Sequence, residues 1–358
     1  MSGRVYLSPP VVEAGTHRYT QDTLRRRLRA RLPEREGVDK LGQLIGFVYA
    51  NSAIEHRHLE LSSEQIDGRS DWYRAVNEAT FSLASRTLSR LFEGQDPLAL
   101  DALVVVSASY AGFPALSRRL QAAHGLSPTA QCYDLSGLGC AGPTHALHLA
   151  HMLVTTGACD RVCVLCVDAM GTHGESRVHN ELPTLSQVVA HCLASDGAAA
   201  VVVGGSPPAG EHLSWSSCTL NSTLWPESLG ENDFTACALN QPYIAVGKDI
   251  RTRLLDELGP TVADLPVAGT LFHPGGAALV RSLGSAYPDF APTLARSSAV
   301  LREHGNIGAA SLLWVLREAW TERRSFGESL CLVALGPGIV STILQCDGLC
   351  SDEPPGQG

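Results

Sequence analysis

The sequence Gly-Cys-Ala-Gly at residues 139–142 recurs in changed form as Gly-Asn-Ile-Gly at residues 305–308, and this repeated turn decides the predicted fold. Apolar runs that read as strands end near Ala108 and His273, at nearly the same distance before the two turns. A helical stretch and two further apolar runs follow each turn. A repeated order of elements at a repeated spacing indicates an internal duplication. The two halves would then face one central site.

The predicted strands are short and continuously apolar, which is typical of strands covered by helices on both faces. Helices are predicted between them, including Ala146 to Leu153 and Ala309 to Trp320. The fold class is therefore α/β. The strands are predicted at residues 103–106, 162–167, 198–203, 265–268, 330–334 and 339–344.

Length and composition fit two related halves around a well-buried core. The chain has 358 residues, of which 44% are hydrophobic and 18% charged, as in soluble globular proteins. We predict an N-terminal half at residues 1–205, a C-terminal half at 206–346 and a flexible polar tail at 347–358. No apolar run approaches the roughly 20 residues that a membrane span needs. With no apolar segment after the N-terminus and eleven cysteines without framework spacing, a reducing, cytoplasmic location is predicted.

The charge distribution limits the possible partners. The net charge of −9 argues against nucleic acid as a general partner. One arginine-rich run, residues 25–31, predicts a helix with a cationic face. That face is either solvated or placed near an anionic ligand.

Cys140 is the candidate nucleophile. Pro143 follows it, and proline is favoured in the first turn of a helix, so Cys140 is expected at a helix N-terminus. Exposed N–H groups and the helix dipole would favour its thiolate there. A thiolate flanked by glycines can accept an acyl group from another thioester. The alternative is a small residue buried in a tight turn.

His273 and Asn306 are the candidate partners of this thiolate. Phe-His-Pro-Gly-Gly at residues 272–276 ends a strand in a histidine beside an open, glycine-rich turn. Asn306 begins the second repeated helix where Cys140 begins the first. An imidazole and a carboxamide that donate to one oxygen form an oxyanion hole, and the imidazolium could also keep Cys140 ionised. Singly, each could be a structural histidine or a helix cap; the prediction depends on the trio.

These residues resemble the signatures of type III polyketide synthases, the chalcone synthase-like branch of the thiolase fold. The segment Ser195 to Ala200 resembles the Gly-Asp-Gly-Ala-Ala segment of that family, and residues 51–59 and 241–247 look like segments of its bacterial members. The similarity extends from about Asn51 to Leu344. The four signatures lie, in order, at residues 138–142, 272–276, 304–308 and 334–338.

The resemblance implies a layered αβαβα thiolase fold and a homodimeric enzyme without a cofactor. Cys140 would load an acyl starter from CoA. His273 and Asn306 would promote decarboxylation of malonyl-CoA and stabilise the enolate that attacks the acyl-cysteine. The extended chain would then be cyclised or released. A ketoacyl-ACP synthase III-like single condensation remains a close alternative, although the segments at 272–276 and 336–338 favour the polyketide branch.

The resemblance also implies substrate contacts and departures from the family pattern. Arg57 matches an arginine that contacts CoA, and Phe113 lies near the position that reaches into the partner subunit's cavity. Ala194 replaces a phenylalanine that guards the cavity entrance in plant enzymes, Gly308 a serine and Leu335 an aromatic residue. A reshaped pocket and a product other than a simple chalcone are implied. The predicted substrate-binding residues are Arg57, Phe113, Ala194, Gly275, Gly276, Gly308, Leu335 and Gly336.

Three further readings compete with this one. Residues 137–142 also form a literal Gly-x-Gly-x-x-Gly, followed by a helix and a strand ending in Asp168, which imitates a dinucleotide-binding fingerprint. A non-condensing, acyl-CoA-binding protein of the thiolase fold is the non-enzymatic alternative. A metal site could use cysteines or helix-spaced histidines, but Cys163 and Cys166 would face opposite sides of a strand. The metal candidates are Cys159, Cys163, Cys166, His145, His148 and His151.

Overall fold

The structure is a computed structural model of the chain. It describes residues 3–34, 36–67, 69, 71–175, 183–225, 234–236, 242–244, 259–337 and 340–351. The predicted resemblance at residues 241–247 and the loop residue Gly338 lie largely outside these residues.

The first sheet is built mainly from the N-terminal half. β5 pairs in parallel with β6 and β7, whereas β7 and β8 are antiparallel. The spatial order is β16-β9-β1-β8-β7-β5-β6, and β2 also pairs with β8. Its strands are β1 (Val5–Leu7), β2 (Val11–Ala14), β5 (Ala102–Val106), β6 (Gln131–Leu135), β7 (Arg161–Ala169), β8 (Asp196–Gly204), β9 (Leu213–Trp215) and β16 (Cys350–Ser351).

The second sheet belongs to the C-terminal half and has the order β10-β15-β14-β13. β13 and β14 are parallel, and the other pairs are antiparallel. Two small pairs, β3 with β4 and β11 with β12, lie apart from both sheets. The strands are β3 (His17–Thr20), β4 (His56–Leu59), β10 (Ser217–Leu224), β11 (Phe234–Ala236), β12 (Pro242–Ile244), β13 (Thr270–Phe272), β14 (Ser329–Gly336) and β15 (Val340–Asp347).

The helices form layers between and outside the sheets. Short 3-10 turns at Gly139–Ala141 and Gly308–Ala310 lead directly into α6 and α12. Others lie at Pro97–Ala99, Pro288–Phe290 and Trp320–Ser325. The helices are α1 (Gln21–Ala30), α2 (Val38–Ala50), α3 (Ser63–Ile66), α4 (Trp72–Leu91), α5 (Leu116–Ala123), α6 (Gly142–Thr155), α7 (Met170–Glu175), α8 (Leu185–Leu193), α9 (Gly259–Ala263), α10 (Ala277–Ala286), α11 (Ala291–His304) and α12 (Ser311–Ala319).

The two central helices, α6 and α12, hold the core together. α6 contacts β5 and β7 of the first sheet and β10, β14 and β15 of the second, and α12 contacts β8 and β13. Their apolar side chains join one buried cluster with residues of both sheets, for example Leu147, Leu313, Val164 and Leu332. α4 and α5 cover the outer face of the first sheet, and α11 packs on β13 of the second. The predicted α/β class and its αβαβα layering are thereby confirmed.

The structure corrects three details of the predicted organisation. β9 pairs with β1, so the first sheet continues past the predicted boundary at residue 205. The tail was predicted from residue 347, but Asp347 pairs with Ser217 and Ser329, and Cys350–Ser351 form β16. The strand predicted at residues 265–268 is a turn, because Pro266 lacks an N–H donor and its carbonyl accepts a bond from the Thr270 hydroxyl at 2.6 Å.

None of the helices in the described ranges combines the length and the apolar character that a membrane crossing requires. The cationic face of α1 is occupied by neighbouring carboxylates. Arg25 pairs with Asp22, and Arg27 and Arg31 both pair with Glu175. The arginine-rich run therefore makes ion pairs within the chain.

Candidate active site

Cys140 lies in a 3-10 turn that continues into α6, with Pro143 in the first helical turn as predicted. Gly139 has a left-handed φ of +48°, and Gly142 lies so close to β5 that a Cβ there would overlap Cγ1 of Val106. Only glycines allow this turn to press against the sheet. The cysteine is held at the start of a central-layer helix.

The Cys140 thiol is protonated near neutral pH. Burial raises the pKa of Cys140 to about 12, and the negative charge of Asp168 adds to the shift. The raised pKa does not support the thiolate that was expected at this helix N-terminus. Desolvation disfavours the charged form more strongly than the helix N-terminus favours it.

His273 follows β13, and its main-chain N–H donates to the carbonyl of Val333 at 2.8 Å. The side chain is 5% exposed, and its buried Nδ1 has no hydrogen-bond partner. Burial lowers the pKa of His273 to about 4, so the ring is neutral near pH 7. The lowered pKa of His273 does not support the expected imidazolium partner for Cys140.

Three hydrogen bonds fix the orientation of the Asn306 side chain. Its Oδ1 accepts the N–H of Gly308 at 3.0 Å and the hydroxyl of Ser311 at 3.3 Å. Its Nδ2 donates to the carbonyl of Gly275 at 3.2 Å. A carboxamide nitrogen carries two hydrogens. One N–H of Asn306 therefore remains free to bind another acceptor.

The segments that carry the trio meet at one place. The Asn306–Gly275 bond joins the Asn306 turn to the loop that follows His273. The two 3-10 turns at Gly139–Ala141 and Gly308–Ala310 contact each other. An added Cβ on Gly139 would lie 2.8 Å from Cδ of Pro337, so the loop after β14 covers the Cys140 turn.

Asp168 connects the two halves beside Cys140, and the sequence suggested it only as part of a dinucleotide fingerprint. It lies near the end of β7 and is 1% exposed. Its carboxylate accepts N–H bonds from Ala108 at 2.8 Å, Ser109 at 3.0 Å and Ala309 at 2.8 Å. A lone acid at the end of an otherwise apolar strand is the signal that could have indicated it, because a buried carboxylate needs donors.

Gly308 faces Asp168. Its φ is +58°, and an added Cβ would overlap the Oδ2 of Asp168. The predicted role of Gly308 in substrate binding stays a prediction, while its backbone packs against Asp168. A side chain is excluded by the left-handed backbone and by the carboxylate, so the glycine is a packing requirement.

Arg57 is buried within the chain, which does not support the predicted contact with CoA. It is 1% exposed, and its Nη1 donates to the carbonyls of His191 and Ala194. Ala194 in turn pairs with Asn306 in an isolated parallel bridge. Arg57 thus braces the segment that supports Asn306.

The remaining predicted contact residues surround the trio at different distances. Gly276 lies against Leu193, and Gly275 accepts the bond from Asn306. Gly336 approaches Ala141, next to the nucleophile, and Leu335 packs at the edge of a buried cluster of the second sheet. Phe113 is fully exposed in the single chain, at 101% of its reference area.

The metal candidates do not converge. Within the described ranges, the ligand atoms of Glu55, His56 and Glu303 are the ones close enough to share an ion. Glu303 is bound by Arg18 and Arg302, whose positive charges oppose a cation there. The cysteine and histidine sets proposed from the sequence are not among such groups.

Comparison with known proteins places the chain among related sequences. The family model of chalcone and stilbene synthases, N-terminal domain, matches residues 51–207. A 1,3,6,8-tetrahydroxynaphthalene synthase from Streptomyces peucetius subsp. caesius is 28% identical over 349 residues, which cover 90% of this chain and 87% of that protein.

Solved structures share the same fold. The 1,3,6,8-tetrahydroxynaphthalene synthase from Streptomyces coelicolor A3(2), a bacterial type III polyketide synthase, superposes with a TM-score of 0.81 at 20% identity, over 95% of this chain and 99% of that one. The fungal type III polyketide synthase ORAS gives 0.80 at 18%, over 96% and 99%. The C-terminal type III polyketide synthase domain of Steely1 from Dictyostelium gives 0.81 at 17%, over 96% and 99%.

Proposed function

We propose that this chain is a type III polyketide synthase, a condensing acyltransferase, and that Cys140, His273 and Asn306 carry out its condensation chemistry. The substrates would be CoA thioesters, an acyl starter and malonyl-CoA, and no cofactor is required. The fold and the family support the reaction class. The contacts around the three side chains support their individual roles.

Loading begins with a neutral Cys140 thiol and a neutral His273 ring. The Cys140 sulfur attacks the carbonyl of the starter thioester, and the neutral His273 ring takes the thiol proton in the same step. When the tetrahedral intermediate collapses, the C–S bond to CoA breaks and the proton passes to the departing CoA thiolate. The products are acyl-Cys140 and free CoA. The raised pKa of Cys140 and the lowered pKa of His273 support this coupled transfer over a preformed ion pair.

Extension uses the donors of His273 and Asn306. Malonyl-CoA loses CO2, and the resulting enolate oxygen accepts hydrogen bonds from His273 and from the free N–H of Asn306. The enolate carbon attacks acyl-Cys140, forms a carbon–carbon bond and releases the cysteine sulfur. His273 accepts a proton in loading and donates one in extension, so the ring nitrogen that faces the substrate is unprotonated in the first step and carries the proton in the second.

The bond from Asn306 to the carbonyl of Gly275 carries this proposal. It joins the turn of one repeat to the loop after His273 and fixes which way the carboxamide points. The contact between the two 3-10 turns brings Cys140 to the same place.

The test is a mass-spectrometric assay with malonyl-CoA, alone and with a panel of acyl-CoA starters. Wild-type protein should show an acyl adduct on Cys140 and extended products; tetrahydroxynaphthalene, named for the relatives, is one product to seek. Cys140→Ala should lose the adduct, and Cys132→Ala, at a half-buried cysteine elsewhere, should keep it. His273→Gln and Asn306→Ala should lower malonyl-CoA decarboxylation more than loading, by about 100-fold. An adduct that persists in Cys140→Ala would refute the nucleophile assignment.

We also propose that the enzyme is a homodimer in which Phe113 contacts the partner subunit. The exposure of this large apolar side chain in the single chain supports a covered position in an assembly. Sedimentation analysis should show a dimer whose dissociation constant rises at least about tenfold in Phe113→Ala. Leu98→Ala is the matched control, since Leu98 is apolar and 60% exposed and has no proposed contact. Equal effects of both variants would contradict the placement.

The proposed location is the cytoplasm, where CoA thioesters are available. All cysteines in the described part of the chain are free thiols, as expected of a reducing compartment. Fractionation of the producing cells, followed by immunodetection, would test the location.

A further inference from the structure

Two cysteines distant in sequence face each other on the second sheet. Cys218 on β10 and Cys346 on β15 are directly opposite in the antiparallel register. Their Sγ atoms are 3.2 Å apart. Neither belongs to the site around Cys140.

The backbone at this pair suits a covalent bridge. Directly opposed residues of an antiparallel pair have Cα atoms about 4.5–5.5 Å apart. Disulfides span Cα separations of about 4.4–6.8 Å. The two sulfurs can therefore bond through side-chain rotation, without a change of strand register.

The two sulfurs differ in their access to solvent. Cys346 is 1% exposed, whereas Cys218 is half-buried. A small molecule can reach Cys218, and Cys346 lies directly behind it. This arrangement pairs an accessible attacking thiol with a protected resolving thiol.

We propose that Cys218 and Cys346 form a modification site, a reversible disulfide made by exchange with a low-molecular-weight disulfide. Cys218 attacks that disulfide and forms a mixed disulfide, releasing one small thiol. Cys346 then attacks the Cys218 sulfur and releases the second small thiol. The protein loses two hydrogens and the small disulfide gains them, so the exchange is balanced.

The bridge would fasten the second sheet. It would join β10 to β15 across 128 residues of sequence, a range that includes β13, β14 and the His273 loop. Closing so long a loop restricts the unfolded chain more than the folded one. Since Cys346 lies at the end of β15 remote from the Gly336–Pro337 turn, catalysis should be unchanged.

The test compares reduced protein with protein equilibrated with oxidised glutathione, all in a Cys140→Ser background so that the nucleophile does not react. We expect a cross-linked peptide pair containing Cys218 and Cys346, a mass decrease of about 2 Da and a melting temperature raised by about 5 °C. Dithiothreitol should reverse all three. The matched control Cys132→Ser should behave identically.

The single variants distinguish the two roles. Cys346→Ser should stop at the glutathione mixed disulfide on Cys218, and Cys218→Ser should remain largely unmodified at Cys346. Neither should gain thermal stability. A wild-type pair that keeps a stable mixed disulfide, or that shows no cross-link at any glutathione ratio, would overturn the proposal. Activity of the oxidised protein with its native Cys140, measured after mass mapping, should match the reduced form.

Discussion

At Cys140, burial and charge act against ionisation. Cys140 is half-buried in the turn, and the carboxylate of Asp168 lies close enough to raise its pKa further. The neutral His273 offers no compensating positive charge. For the proposed nucleophile, we therefore expect activation only when a substrate arrives and the proton can move.

This state has a measurable consequence for thiol reactivity. The rate of iodoacetamide alkylation at Cys140, followed by peptide mass spectrometry, should keep rising from about pH 6 to about pH 10, because only the thiolate reacts. Exposed Cys350 serves as the internal reference for reagent quality. A rate at Cys140 that levels off below neutral pH would show a preformed thiolate–imidazolium pair instead.

A comparison of Gly308 with Gly157 distinguishes the cost of backbone strain from the cost of steric overlap when a side chain is added. Both have positive φ, +58° and +73°, but a Cβ on Gly157 would meet open space. Gly157→Ala should lower the free energy of unfolding by about 1 kcal/mol. Gly308→Ala should lower it by about 3 kcal/mol, because its Cβ also displaces Asp168. Urea denaturation measures both losses of free energy of unfolding. Equal losses would mean that the Asp168 side chain moves aside without an energetic penalty.

Among the elements, α6 and α12 have the same construction. Each follows a 3-10 turn, lies between the sheets and carries a functional side chain at or just before that turn. Their apolar faces are buried on both sides, so their position is set by packing rather than by surface charge. A helix placed this way leaves its first turn pointing toward the centre of the molecule.

The close approach of α6 to β5 can be tested by exchanging volume. Gly142→Ala should lower the free energy of unfolding by about 2–3 kcal/mol, because its methyl group overlaps Cγ1 of Val106. Val106→Ala leaves a cavity and should cost about 2 kcal/mol alone. In the double variant the loss of free energy of unfolding should be smaller than the sum of the two single losses by at least about 1 kcal/mol. Purely additive losses, measured by urea denaturation, would contradict this contact.

For the whole molecule, the buried His273 and the half-buried His304 couple stability to pH. Burial lowers the pKa values of His273 and His304 to about 4 each, below the ordinary value of 6.5. Between about pH 6.5 and 4 the unfolded chain binds protons at these positions and the folded chain does not, so stability falls as the pH falls. Each histidine should contribute a loss of about 2 kcal/mol between pH 7 and pH 5.

The contribution of each histidine is measured as the difference between wild type and variant in how the free energy of unfolding changes with pH. Burial raises the pKa of Asp196 to about 7, so this group makes stability rise as the pH falls. The pH dependence of the wild-type free energy of unfolding therefore combines opposite contributions from Asp196 and the histidines. His273→Gln and His304→Gln should each lose about 2 kcal/mol less than wild type on going from pH 7 to pH 5, in urea denaturation. Parallel slopes would show that these rings are protonated in the folded protein.

Much of this architecture could be predicted from local pattern. The repeated turns, the apolar strands at 103–106 and 198–203 and the helix after Pro143 were visible because each depends on neighbouring residues. The strand predicted at 265–268 was wrong, since apolar residues around Pro266 read as a strand while the ladder begins only at Thr270. The CoA contact of Arg57 was implied by its match to an arginine of the resembled family, whereas its burial depends on α8 and β4.

By itself, the sequence determined the fold class and indicated the repeated turns and the three candidate reactive side chains, because apolar periodicity and glycine placement are local features of the sequence. Only the tertiary structure decided their protonation, the orientation of Asn306, the role of Asp168 and the contact between Cys218 and Cys346. Those properties depend on which distant atoms exclude water or donate hydrogen bonds, and no local pattern records them.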